Sequence, residues 1–234
     1  MYLLGLPSLV IFALFGLVAC SEPPEPTVNL YRAVEVGDLD QVKRHLFWDT
    51  DIDQPDDRGD LPLHIAARLG RLTIARELVE HGANIEATDA TGRTPLETAL
   101  VAGRTQLAEM LIAQGATFDV QAMLFTLVRQ GVSDRDVIEF LAERGADLNA
   151  RDEAGLTPLH RAVAAGRLEL ATRLIRAGVD VNRRDAQGRA PLSIALETRN
   201  RNIIELLRQN GALANGAGRS GSRSPTSPTD EDAG

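Results

Sequence analysis

Side chains able to do chemistry are few in this sequence: one cysteine, Cys20, and four histidines, His45, His64, His81 and His160. A thiol beside an imidazole could form a nucleophilic pair or a zinc site. Cys20, however, closes an uncharged apolar run and has no histidine near it in sequence. His64 and His160 occupy equivalent places three units apart in a repeating pattern. At 8–10 Å per helix layer that puts them roughly 25–30 Å from each other, too far to share a metal. No serine, histidine and aspartate are spaced to converge, and the glycines recur singly rather than as a phosphate-cradling loop. Charge concentrates at Asp49, Asp51, Asp53, Asp56, Asp57 and Asp60, which Arg58 offsets to a net −5 of the chain's −8. Aspartate is favoured in turns because its carboxylate closes onto backbone amides, and this accounts for at least half of the six. The alternative is an acidic lip that attracts a basic partner; the spacing is not that of a calcium-binding EF-hand loop. The expectation is a protein with no catalytic, cofactor-binding or metal-binding residue and no small-molecule substrate.

The setting of Cys20 is more informative than its reactivity. Residues 1–19 carry no charged side chain, and the run ends in Leu17-Val18-Ala19-Cys20 followed by Ser21. This ending resembles the lipobox of bacterial lipoproteins, although the first residues lack the lysine or arginine usual in a signal peptide. The resemblance implies cleavage before Cys20, a diacylglycerol on its thiol and acylation of the new amino group. Ser21 in place of aspartate resembles the outer-membrane sorting rule, so an envelope protein anchored by lipid and facing the periplasm is expected. An uncleaved signal-anchor helix is the competing reading, because the stretch is near the ~20-residue minimum for a span. Residues 20–27 form a proline-rich spacer that holds the body within ~20 Å of the lipid surface, at ~3.1 Å per residue.

Among the 234 residues, 44% are apolar and only 4% aromatic, with alanine, leucine, glycine and arginine prominent. Such a mixture suits many short helices packed closely through small side chains. The net charge of −8 excludes a nucleic-acid binder, which needs a basic stripe to neutralise phosphates. Lys43 is the single lysine among 25 basic residues, a bias common in GC-rich bacterial genomes.

What positions these residues is a period of 33. Pro62, Pro95, Pro158 and Pro191 are separated by 33, 63 and 33 residues, as are Gly59, Gly92, Gly155 and Gly188. Gly82, Gly115, Gly145, Gly178 and Gly211 step by 33, 30, 33 and 33. Each Asp-x-x-Gly (Asp56, Asp89, Asp152, Asp185) reads as a turn. Thr94-Pro95 and Thr157-Pro158 read as a helix cap followed by proline in the first turn. Short helices then stop at Gly70, Gly103 and Gly166, and second helices carry apolar pairs such as Ile74, Ala75, Leu78 and Val79.

Gly155-Leu156-Thr157-Pro158-Leu159-His160-Arg161-Ala162 and the stretch Asp57 to Ala67 resemble ankyrin repeats. The resemblance implies an all-α solenoid of about six helix-turn-helix units with short β-turn fingers, which buries a continuous core by stacking. The units are 28–55, 56–88, 89–121, 122–151, 152–184 and 185–214, followed by a tail, 215–234, expected to be disordered. Asp49 in the first unit and Arg199 in the last stand where other units have glycine, as in terminal caps. The fourth unit departs: its Thr-Pro-Leu is missing, its finger is five residues shorter, its inter-helix loop two longer, and Ser133-Asp134-Arg135-Asp136 reads as a capping box. This is either drift in a repeat that still packs or a notch in the finger row.

Ankyrin solenoids bind proteins through finger tips and the groove face of the inner helix. Carried over onto this sequence, that implies partner contacts at Asp57, Arg58, Asp60, Arg68 and Leu69 in the second unit and at Thr91, Arg93 and Val101 in the third. In the fifth they are Glu153 and Leu156, and in the sixth Gln187, Arg189 and Glu197. The expected function is a lipid-anchored protein-binding module, with an immunity-type inhibitor or an envelope scaffold as alternatives.

Overall fold

The computed structural model describes residues 22–213, so Cys20, the apolar run 1–19 and the tail 215–234 lie outside the described residues. Twelve α-helices follow in six antiparallel pairs, with no strand among the described residues. The first pair is α1 (Leu30–Val36) and α2 (Leu39–Phe47), the second α3 (Pro62–Leu69) and α4 (Leu72–Glu80), the third α5 (Pro95–Val101) and α6 (Thr105–Ala113). The fourth is α7 (Val120–Gln130) and α8 (Arg135–Glu143), the fifth α9 (Pro158–Ala164) and α10 (Leu168–Arg176), the sixth α11 (Pro191–Glu197) and α12 (Arg201–Gln209). Odd-numbered helices stack on one another as an inner row and even-numbered helices as an outer row.

Two residue ladders at the repeat period build the core. Ala33, Ala66, Ala99, Ala162 and Ala195 lie buried in the inner helices, where a methyl group lets neighbouring backbones approach. Leu78, Leu111, Leu141, Leu174 and Leu207 are completely buried in the outer helices. Each such leucine contributes about 1.5–3 kcal/mol by leaving water.

Polar groups register the units along the same axis. The Asn84 amide donates to the Asp53 carboxylate (3.1 Å), Thr117 to Glu86 (2.9 Å), Asp180 to Asn149 (2.8 Å) and Leu213 to Asn182 (2.8 Å). Each donor lies 31 residues beyond its acceptor, so the bond always crosses a repeat boundary. At the inter-helix loops the arginine before an outer helix reaches back over the preceding unit. Arg71 donates to the Glu35 carbonyl at 2.8 Å and Arg167 to the Val128 carbonyl at 2.6 Å. Gly131 therefore has two reasons to be glycine: its φ is 79°, and a Cβ there would sit 2.6 Å from the Arg167 guanidinium carbon.

The fourth unit is remodelled differently from the expectation of a finger shortened by five. Helix α7 starts only five residues after Gly115, whereas α5 starts 13 after Gly82, so eight residues of finger are gone. Three return as an extra turn of helix, since α7 has 11 residues against 7 in α5 and 8 in α3. Asp119, the position that should bond the next unit, is used instead to cap α7 through the Ala122 amide (2.9 Å). Gln121 takes over: its side chain accepts from the Asp147 amide at 2.9 Å and donates to the Asp147 carbonyl at 3.3 Å. The capping box expected at Ser133 does not form; Asp134 alone caps α8, accepting from Asp136 and Val137 amides (2.9 and 3.2 Å). Stacking in the inner row is thinnest between α5 and α7.

Asp49 and Arg199 are the two non-glycine residues with left-handed backbone among those described, at φ 57° and 54°. Both stand where interior units have glycine. Arg201, Asn202 and Arg208 face solvent on α12, so the last unit presents a polar outer face.

Candidate binding groove

Every finger is closed by one aspartate in the same way. The Asp56 carboxylate accepts from the amides of Arg58 and Asp60, both 2.9 Å. Asp89 does so from Thr91 (2.8 Å) and Arg93 (3.0 Å), Asp152 from Ala154 and Leu156 (both 3.0 Å), and Asp185 from Gln187 (2.9 Å) and Arg189 (2.8 Å). Burial alone would raise the carboxyl pKa of Asp89, Asp152 and Asp185. Hydrogen bonds and the neighbouring arginines outweigh it and hold all three below the ordinary carboxylate range.

Histidine ties the second repeat to the third finger and the fifth repeat to the sixth finger. His64 Nε2 donates to the Arg93 carbonyl at 2.8 Å and His160 Nε2 to the Arg189 carbonyl at 2.9 Å. Because a carbonyl only accepts, the proton is on Nε2 and Nδ1 must be an acceptor. Thr157 supplies the donor for His160 Nδ1 (2.7 Å) and also caps α9. Leu61 stands at the matching place before α3, so His64 Nδ1 is buried without a partner. Desolvation lowers both imidazole pKa values below 6.5, keeping the rings neutral. Both histidines are thereby structural, and among the described residues no three His, Cys, Asp or Glu side chains group as metal ligands.

Most of the acidic stretch proves to be turn chemistry. Asp51 accepts from the Asp53 amide (3.0 Å), Asp53 bonds the second unit, Asp56 closes a finger and Asp49 takes the left-handed corner. Asp60 is ion-paired with Arg68 at 2.6 Å. Asp57 is exposed and has no ion pair or hydrogen bond among the described residues.

The sequence-derived contact positions lie on the fingers and the inner helices. Asp57, Arg58, Arg68, Leu69, Thr91, Glu153, Gln187 and Glu197 are exposed, whereas Asp60, Arg93, Val101, Leu156 and Arg189 are half-buried. Arg93 is committed to its own finger, donating to Thr91 Oγ1 at 2.8 Å. Sequence reasoning missed Val36, which stands 33 residues before Leu69 at the end of α1. It was overlooked because the first unit has no finger; the 33-residue step from Leu69 was the signal that could have found it. Val36 is 49% and Leu69 40% exposed, with half-buried Ala102 continuing the row. The same register holds Gln130, Ala165 and Thr198 farther along, so the apolar part of the row lies in its N-terminal half.

A solenoid of stacked helix pairs is the architecture of a protein-interaction module. The ankyrin-repeat family model matches residues 30–122 and 124–216, and the chain belongs to that family. It is an ankyrin-repeat protein-binding module. Solved structures of the same fold include the ankyrin repeat domain of Bcl-3, an IkappaB family member, at 26% identity and TM-score 0.60, covering 81% of this chain and 88% of that one. A chain from the complex of the predatory endopeptidase Bd0816 of Bdellovibrio bacteriovorus with immunity protein Bd3460 matches at 26% identity and TM-score 0.59, covering 77% and 96%. The human ASB11 ankyrin domain shares the fold at 24% identity and TM-score 0.61, covering 81% and 86%.

Proposed function

We propose that this chain is a non-catalytic, lipid-anchored module that captures one protein partner on the periplasmic side of a bacterial envelope. The observation that carries the capture is the exposed apolar row Val36–Leu69 on the inner helices, with the charged pairs Asp60–Arg68 beside it and Arg189–Glu197 in the last repeat. Apolar side chains left in water beside charged and polar neighbours are the usual composition of a protein-binding site. The contact positions Asp57, Arg58, Arg68, Thr91, Val101, Glu153, Leu156, Gln187, Arg189 and Glu197 supply that rim and its continuation. The anchor reading rests on Leu17-Val18-Ala19-Cys20-Ser21 and on the outer-membrane character of Ser21.

Capture from detergent-solubilised envelope, with bound proteins identified by mass spectrometry, tests the first part. A partner retained by the wild type and lost with Val36→Asp plus Leu69→Asp, the fold unchanged by circular dichroism, is the expected result. Equal recovery with the double variant removes the groove from the mechanism. The anchor has its own test: an alkyne fatty acid should label the wild type and leave Cys20→Ala unlabelled.

Likeness to a chain of an endopeptidase–immunity protein complex favours a second reading, an inhibitor that plugs an envelope or secreted enzyme. A captured hydrolase that loses activity when saturated with this chain would select that reading over a scaffold.

A further inference from the structure

Aromatic side chains are scarce here, with one tryptophan and six phenylalanines in the chain, yet Trp48 and Phe47 stand together in water. They end helix α2, with ring centroids 5.7 Å apart and planes at 80°. Phe47 is 55% and Trp48 41% exposed, and Val28, also exposed, belongs to the segment running into α1. Phe47 and Trp48 end α2 of the outer row, whereas Val36 and Leu69 end inner helices. A groove of about 430 Å³ separates Trp48 from the spacer and is lined by Glu25, Pro26, Thr27, Val28 and His45 among others.

The spacer does not leave this corner freely. The Thr27 amide donates to Gln41 Oε1 at 2.8 Å. His45 Nε2 donates to the Val28 carbonyl at 2.7 Å, and the same ring bonds Thr50 through Nδ1 at 3.0 Å. Both Gln41 and His45 belong to α2, so the helix that carries the aromatic pair also clamps the chain arriving from Cys20. Only residues 21–26 separate Cys20 from the first clamped residue, a reach of about 20 Å at ~3.1 Å per residue in a proline-rich segment. A lipid on Cys20 therefore brings the bilayer to this corner before any other part of the solenoid.

We infer that Phe47, Trp48 and Val28 form an interfacial seat that lies in the headgroup region of the membrane and fixes the solenoid's orientation beside its lipid anchor. This rests on the anchored reading above. Tryptophan and phenylalanine suit that depth, their apolar rings leaving water while the indole N–H keeps a polar partner. Asp49 and Asp51 follow at once and hold the seat shallow. Two aromatic rings and a valine bind a bilayer weakly by themselves; the tether raises their local concentration, as a second anchoring signal does for a single acyl chain. With the outer-row corner seated, the inner helices are presented away from the lipid.

Trp48 is the single tryptophan and Cys20 the single thiol, which makes the test direct. The buried core runs from Leu30 to Leu207, so a chain beginning at Cys20 retains all of it. That chain is coupled through its thiol to a maleimide-headgroup lipid in phosphatidylethanolamine/phosphatidylglycerol vesicles, with bromines placed at shallow or deep acyl positions. The expected result is a blue-shifted Trp48 emission quenched by shallow bromines, with both effects reduced by Phe47→Ser and unchanged by Leu69→Asp. An emission left at its water-exposed position, unquenched, overturns the seat. So does a blue shift without bromine quenching, which would mean that a second copy covers Trp48. Because the tether is chemical, these outcomes do not depend on acylation in cells, and failure of fatty-acid labelling at Cys20 would remove the anchored reading separately.

Discussion

Arg68 reaches back eight residues from the end of α3 to Asp60 in its own finger, bringing guanidinium and carboxylate within 2.6 Å. In the last repeat the same two positions are Arg189 and Glu197, 3.8 Å apart, with the charges exchanged. The second and the last repeat thus carry the same pair with opposite polarity. Exposed pairs of this kind contribute only about 0.2–1 kcal/mol to stability. Their larger effect is on the field an approaching partner meets.

Charge reversals at the two ends should therefore act on association unequally while leaving the fold intact. If the partner's basic face meets the second repeat, Asp57→Lys slows association and weakens its salt dependence, and Glu197→Lys does so less. Asp56→Ala, by contrast, removes two amide bonds from a finger and should cost about 1–3 kcal/mol. Stopped-flow association across ionic strength, beside denaturant melts, separates these. Equal melts for Asp56→Ala and Asp57→Ala would contradict the division between turn-closing and free aspartates.

Thr157 both caps α9 and donates to His160. Thr157→Val keeps the shape and loses both bonds, for an expected cost of about 1–3 kcal/mol in urea unfolding. His160 and His64 have folded pKa values depressed by burial, so the unfolded chain binds their protons first. Stability is then full above the unfolded value near 6.5 and falls as pH drops below it. The depressed carboxyls of Asp89, Asp152 and Asp185 add a second loss only below about 3.8, their ordinary value. Melts from pH 8 to pH 3 should show both windows; a flat profile between pH 7 and pH 5 would contradict the neutral, buried rings.

Arg199 holds a left-handed backbone at φ 54° with no side-chain reason for it in the hydrogen bonds. Such a conformation costs a non-glycine residue about 1–2 kcal/mol, part of which glycine's extra chain entropy offsets. Arg199→Gly should stabilise the last repeat by about 0.5–1 kcal/mol, read as a rise in Tm. A lower Tm would show that Arg199 contributes contacts beyond its backbone.

Amide exchange should divide the array at the fourth unit. Because repeat arrays open at their weakest neighbour interface, the start of α7 and its thin contact with α5 should exchange faster than α3 or α9. Gln121→Ala, which breaks the substitute bond to Asp147, should speed exchange there further. Protection equal to that of α3 would show that the remodelled unit packs as firmly as the others.

The sequence by itself determined the family, the six-unit register, the finger turns and the caps at Thr94 and Thr157. All of these follow from short-range chemistry that recurs every 33 residues: an aspartate closing onto amides two and four residues ahead, a threonine before proline, a glycine at a left-handed corner. What only the tertiary structure decided was which side chains are paired within a repeat and which across repeats. It assigned Asp53 to the next unit and Asp60 to Arg68, leaving Asp57 in solvent. It lengthened α7 and let Gln121 replace Asp119 in the inter-repeat ladder, buried His64 Nδ1 without a partner, and placed Phe47 and Trp48 in water beside the spacer. Those outcomes depend on which groups stacking brings within hydrogen-bond reach, and inter-repeat partners 26 to 39 residues apart leave no local pattern to read.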